Sequence, residues 1–245
     1  MKTYQPLKMK KILLSILLFS ASFTAFSQST PGKSAVFIGL GPSLPVGQFS
    51  LKDATNDDAG LAAVGFYLDF GYQYQFSKNV GAIAMFKGKI YGLSKDALNY
   101  ALPTGSGGSM SVESSTWKMG AILGGLSQRL PLIKSNAFAM EFREAAGVQF
   151  TSSPRMSFNF NLPEIGSFSA IQESQSASSF AYLLGVGFSY QINSHLGLKL
   201  YGDYNNSNVK FKDVTATIDG STTTIASPHQ RTGTIDVGLG LTIGL

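Results

Sequence analysis

Nine charged residues fall at positions where a two-residue alternation turns them to one side of extended segments: Asp69, Lys87, Lys89, Lys118, Glu141, Arg143, Lys199, Asp203 and Asp236. Five are basic and four acidic, so the group nearly cancels. Buried singly, each would be expensive; set across neighbouring strands, as Asp69 with Lys87 or Lys118 with Glu141, they satisfy one another. Two chemistries suit such a cluster, a selectivity ring or proton path through a pore and a salt-bridged plug. The width of the space they share decides between them.

Other reactive side chains offer less. His195 opens a segment after a short turn, and His229 follows Pro228 near Ser227, the one place where a nucleophile and a base come close in sequence. A triad needs a third group to orient the base, and none is spaced for it, so His229 reads as a solvated loop residue and no catalytic residue is assigned. The oxygen-rich "KDATNDDAG" carries Asp53, Asn56, Asp57 and Asp58. It lacks the glycine and the distal glutamate of a calcium loop, so no metal site is expected. The run "GSGGS" at 105–109 is followed by neither Lys-Ser nor Lys-Thr and reads as a loop tip, so no cofactor is expected either.

The elements that must position the charges are strands. Period-two alternation bounded by turn residues marks eight of them, near 34–42, 61–76, 80–91, 115–130, 137–150, 178–192, 195–205 and 231–245. Their connections alternate between two to six residues and roughly 18 to 30 residues rich in Ser, Thr, Gly, Asn and Pro. Short and long ends therefore gather at opposite rims. That is the layout of an all-β, eight-stranded antiparallel up-and-down transmembrane β-barrel, with tight periplasmic turns and extended external loops.

In "VGFYLDFGYQYQF", Val64, Phe66, Leu68, Phe70, Tyr72, Tyr74 and Phe76 share one face, and Asp69, Gln73 and Gln75 the other. Strands near 178–192, 195–205 and 231–245 divide the same way. Turned inward, the charge-free faces would leave a surface of Gly, Ser and Ala with too few charges to dissolve it. Turned to lipid, they leave the charges to meet in a narrow lumen that eight strands make just wide enough for side chains to fill. The plug is the expected reading. Glu144 breaks the pattern, since alternation sends it outward beside Phe142 and Ala146; a bulge, a partner at the rim or a shifted register would each account for it.

Composition agrees. Charged residues are 13% of the chain, against about 25% in soluble domains. The amino terminus reads as a cleaved export signal over 1–27, with Lys2, Lys8, Lys10 and Lys11 ahead of "ILLSILLFSASFTAF" and small Ala25 and Ser27 before Gln28, leaving a barrel over 28–245. Without the four signal lysines, fifteen basic residues face fourteen acidic ones, so nucleic acid is not an expected partner. Cysteine is absent, so neither a disulfide nor a lipidated cysteine holds the chain.

The early "GLGPSLPVGQF", the aromatic second strand and the closing "TIDVGLGLTIGL" give the chain from 34 to 245 a resemblance to the porin-like outer-membrane β-barrel family, similar in layout to the small OmpA, OmpX and OmpW-type barrels. The resemblance implies location in the outer membrane of a Gram-negative-type bacterium, contact with its lipid, and assembly by the outer-membrane insertion machinery. Such barrels usually end in an aromatic residue, whereas this chain ends in Leu245 after Leu239, Leu241 and Ile243. Family members serve as envelope proteins, adhesins, solute pores or barrel enzymes. The reading carried forward is a non-enzymatic barrel with a filled lumen and a structural or surface-binding role, any extracellular ligand sitting at the long loops. A narrow pore for small or hydrophobic solutes is the alternative, ahead of an outer-leaflet lipid-modifying enzyme.

Overall fold

A computed structural model describes residues 33–53, 56, 58–94, 109–134, 137–162, 166–218, 221–225 and 229–245. The expected signal at 1–27, Asp57, Ser227, Pro228 and most of the "GSGGS" run lie outside the described residues. Among the described residues, fourteen strands follow in chain order: β1 Lys33–Val46, β2 Ala62–Gln75, β3 Val80–Leu93, β4 Ser109–Ser114, β5 Trp117–Pro131, β6 Phe138–Ser152, β7 Met156–Leu162, β8 Gly166–Gln172, β9 Ser176–Gln191, β10 Leu196–Lys210, β11 Val214–Ile218, β12 Ser221–Ile225, β13 His229–Arg231 and β14 Gly233–Gly244.

Eight of them, in the order β1-β2-β3-β5-β6-β9-β10-β14, pair antiparallel, and β14 closes on β1 from Ala35 opposite Gly244 to Val46 opposite Gly233. Closure leaves no unpaired edge in the wall, the condition for a strand-built structure to cross lipid. The expected eight-stranded barrel is the fold observed. Its outer surface carries the charge-free faces of the sequence: Phe66, Leu68 and Phe70 on β2, Phe180, Leu184 and Val186 on β9, Leu239 and Leu241 on β14, all exposed. Asp69, Gln73 and Asp236, on the opposite faces, are buried.

The long connections hold more order than their composition announced. β4, β7, β8, β11 and β12 form a second antiparallel sheet beyond the external rim, in the order β12-β11-β8-β7-β4. It continues the barrel wall without a slip of register. Lys118 opposite Ser152 is followed, four residues further out on each strand, by Ser114 opposite Met156. Ser152 opposite Ser176 is followed in the same way by Met156 opposite Gln172. One side of the barrel thus extends outward as a curtain. The sequence reading missed it because short Ser- and Thr-rich alternations such as "STTTI" resemble loop composition.

Candidate functional site

Inward positions fill the lumen in three tiers. At the periplasmic end a vestibule of about 300 Å³ is lined by Gln73, Gln75, Arg129, Glu141, Ser189 and Lys199, among others. Lys199 Nζ lies 2.8 Å from Glu141 Oε2 and donates to Gln73 Oε1 at 3.2 Å, while Gln73 Nε2 donates to Ser127 at 3.0 Å.

The middle tier is an ion cluster with no exposed member. Lys87 Nζ donates to Asp203 Oδ2 at 2.7 Å and to Asp236 Oδ2 at 2.9 Å, and lies 3.6 Å from Asp69 Oδ2. Arg143 Nη2 donates to Asp203 Oδ2 at 2.7 Å. Lys89 Nζ sits 3.0 Å from Asp236 Oδ2 and donates to Thr234 at 2.7 Å. Asp236 also accepts from Ser43 and from Asn205 Nδ2, and Asp69 Oδ1 accepts from the Tyr201 hydroxyl at 2.9 Å. The rings of Tyr67 and Tyr201 lie against the cations, Lys87 Nζ 4.6 Å from one centroid and the Arg143 guanidinium 4.0 Å from the other. Three cations and three carboxylates, all buried, balance one another, and such pairing is the condition under which buried charge is tolerated.

The ladder explains the arrangement. Asp203 and Asp236 are directly opposite one another on β10 and β14, a like-charge pair that destabilises a sheet unless a cation bridges it. Lys87 supplies that bridge from across the lumen. Its own cross-strand neighbour, Asp69, is the more distant partner, although sequence order alone paired the two.

At the external mouth a third tier closes the lumen. The 3-10 turn Gly47–Ser50 drops Phe49 into the barrel, fully buried, with edge contacts to Tyr91 at 5.1 Å and Trp117 at 5.5 Å. Met119, Val209 and Phe211 complete the cap, and Trp117 Nε1 donates to the Gly60 carbonyl at 3.0 Å. A further apolar cluster of Phe37, Ile83, Met85, Leu123 and Leu183 lines one side of the lumen. Sequence reasoning passed over both, having treated the interior as polar. Trp117 and Met119, an inward pair in the alternation, were the available signal.

Of the nine charged positions, eight project into the lumen. Lys118 does not: between buried Trp117 and Met119 it faces outward at the external rim, opposite Ser152 and remote from Glu141. The expected Lys118–Glu141 pair is therefore corrected to Lys199–Glu141. Counting Trp117 as inward puts Lys118 out. Glu144 also faces out, exposed between Leu126 and Leu184 in ladders with no bulge, so its outward alternation was real. His195 sits in a periplasmic turn with Nδ1 2.8 Å from Ser194 Oγ, and His229 is exposed on β13 opposite Lys210. Asp58 belongs to a turn, its backbone N–H donating to Asn56 Oδ1 and its carboxylate accepting from Gln48.

No protein-family model and no curated protein sequence matches the chain. Solved structures do. Ail, the attachment invasion locus protein of Yersinia pestis, is 19% identical over 87% of this chain and 99% of its own, with a TM-score of 0.42. A major outer membrane protein from Thermus thermophilus is 14% identical over 88% and 100%, at 0.44. The outer membrane protease OmpT from Escherichia coli is 9% identical over 91% and 100%, at 0.34. The closed eight-stranded wall, its apolar outer belt and the segregation of short turns from long extensions give this chain the fold of a small membrane-spanning β-barrel, similar in architecture to these outer-membrane proteins.

Proposed function

We propose that the protein is a sealed, non-enzymatic outer-membrane barrel whose work is done on the external side, by the curtain that prolongs its wall. One observation carries the reading: the lumen is occupied from wall to wall, first by the balanced ion cluster around Lys87 and then by the aromatic cap around Phe49. An ion crossing it would have to displace groups already holding one another at hydrogen-bond distance, at the desolvation cost that makes buried pairs hard to part. The five-stranded curtain supports the second half, because a connection between neighbouring antiparallel strands needs only a few residues. Its strands are more than connection.

Planar-bilayer recording of the purified barrel tests the seal. Silence of the native protein, together with discrete conductance after Lys87 and Phe49 are replaced by alanine, supports the reading. Discrete steps before any substitution would establish a pore instead.

A further inference from the structure

Where the wall passes into the curtain, two of its strands part. The β9–β10 ladder stops at Ala181 opposite Ser207 and resumes, in the same register, only at Gln172 opposite Ala216 on β8 and β11. Between these points β10 turns to β13, pairing Asn208 to Lys210 with His229 to Arg231. The gap opens a cleft of about 790 Å³. Its rim carries Lys118, Lys210 and Lys212 with Ser152, Ser176 and Ser178; Met119 and Ala177, from the apolar cap, lie at its floor.

The chemistry of the lining is one-sided. Three exposed lysines line it with three serine hydroxyls, of which Ser152 and Ser176 share a hydrogen bond of 2.7 Å, and among the described residues no carboxylate lines the cleft. Asp213 follows Lys212 in sequence but lies outside the lining, and Glu173 is engaged with Arg155 at 3.2 Å. Depth narrows the choice of anion. Phe180 and Tyr182 lie on the outward face just below Ser178, with Phe150 at the cleft's own lower border opposite Ser178, and an aromatic girdle of this kind marks the upper boundary of the hydrocarbon. Residues one or two ladder pairs above it stand at the level of lipid headgroups.

We infer that this cleft seats the phosphate of an anionic lipid in the outer leaflet, held by Lys118, Lys210 and Lys212 with hydroxyl groups from the three serines. Clustered lysines at a membrane surface attract anionic headgroups, and phosphate is the headgroup acceptor that three ammonium donors suit best. The parted ladder matters as much as the charge, because it lets the headgroup enter the wall instead of resting on it. The inference stands whether or not the lumen conducts.

The test uses the full barrel in neutral detergent, titrated with short-chain phosphatidic acid, with phosphatidylcholine of the same chain length, and with inorganic phosphate, bound lipid being counted by native mass spectrometry. Native protein should retain phosphatidic acid over phosphatidylcholine. Replacing Lys118, Lys210 and Lys212 by glutamine should weaken that retention at least about tenfold, by the attraction such lysines exert near a surface. Replacement of the periplasmic-turn lysines, Lys78→Gln with Lys134→Gln, should leave it unchanged. Should the triple variant fail to give a heat-modifiable barrel, Lys210→Gln alone carries the test, with several-fold weaker retention expected. Equal retention by native and cleft variants, or equal loss in the periplasmic-turn control, would overturn the inference. So would displacement of the lipid by inorganic phosphate at matching concentration, which would mark a site for a soluble anion.

Discussion

Lys87 holds together two aspartates that the β10–β14 ladder forces face to face. Removing its charge while keeping its bulk, as in Lys87→Met, leaves Asp203, Asp236 and Asp69 with Arg143 and Lys89 alone. The expected loss is about 3–5 kcal/mol, the scale for stranding one side of a buried ion pair. Urea-dependent folding into lipid vesicles measures it. A loss below about 1 kcal/mol would mean that the carboxylates find other partners. Glu144 predicts a change of the opposite sign. Its carboxylate stands on the outer face between Leu126 and Leu184, where a charged side chain is penalised, so Glu144→Leu should stabilise the barrel by about 1 kcal/mol in the same assay.

Two wall glycines, Gly39 on β1 and Gly238 on β14, make room for the tyrosines that cross the lumen. A Cβ on Gly39 would overlap the Tyr201 hydroxyl, and one on Gly238 of β14 would overlap the Tyr67 hydroxyl. Neither space exists. Gly39→Ala must push Tyr201 off Asp69 and should cost about 1–3 kcal/mol, the range for overpacking a filled interior. An unchanged unfolding midpoint would show the ring to be free to move. The β7–β8 hairpin is the central unit of the curtain and continues β6 and β9 in register. Replacing 153–175 by a short turn should leave a heat-modifiable barrel, because every pair that closes the wall lies below the cut. Loss of heat-modifiability would make the curtain part of the folding unit.

For the molecule as a whole, the orientation of its faces is the property on which all else rests. Leu239 is 67% exposed on the outer belt, whereas Gln73 is buried beside the periplasmic vestibule. Leu239→Arg should cost about 2–4 kcal/mol at mid-bilayer depth. Gln73→Arg should cost less, since the new charge enters the polar vestibule rather than lipid. Equal penalties in vesicle folding would mean that inside and outside had been exchanged.

Alternation marked the eight wall strands and split each into two faces, because the period of two is a local property; connection lengths separated the two rims, and the scarcity of charge decided which face meets lipid. Eight of the nine interior charges were legible for that reason. Lys118 was misplaced on β5, where Trp117 and Met119 carry apolar bulk inward, so hydrophobicity there did not mark the lipid side. Who pairs with whom was legible only in part: the expected Asp69–Lys87 pair is present at 3.6 Å, but the shorter contacts lie elsewhere. Lys87 reaches Asp203 and Asp236 across the lumen, and Phe49 folds in from an external turn, contacts that depend on barrel curvature and side-chain length rather than spacing. The curtain and the parting of β9 from β10 were likewise settled only in three dimensions. Short Ser- and Thr-rich strands have little apolar surface to announce them, and they gain their order by continuing a wall whose register the barrel has already set.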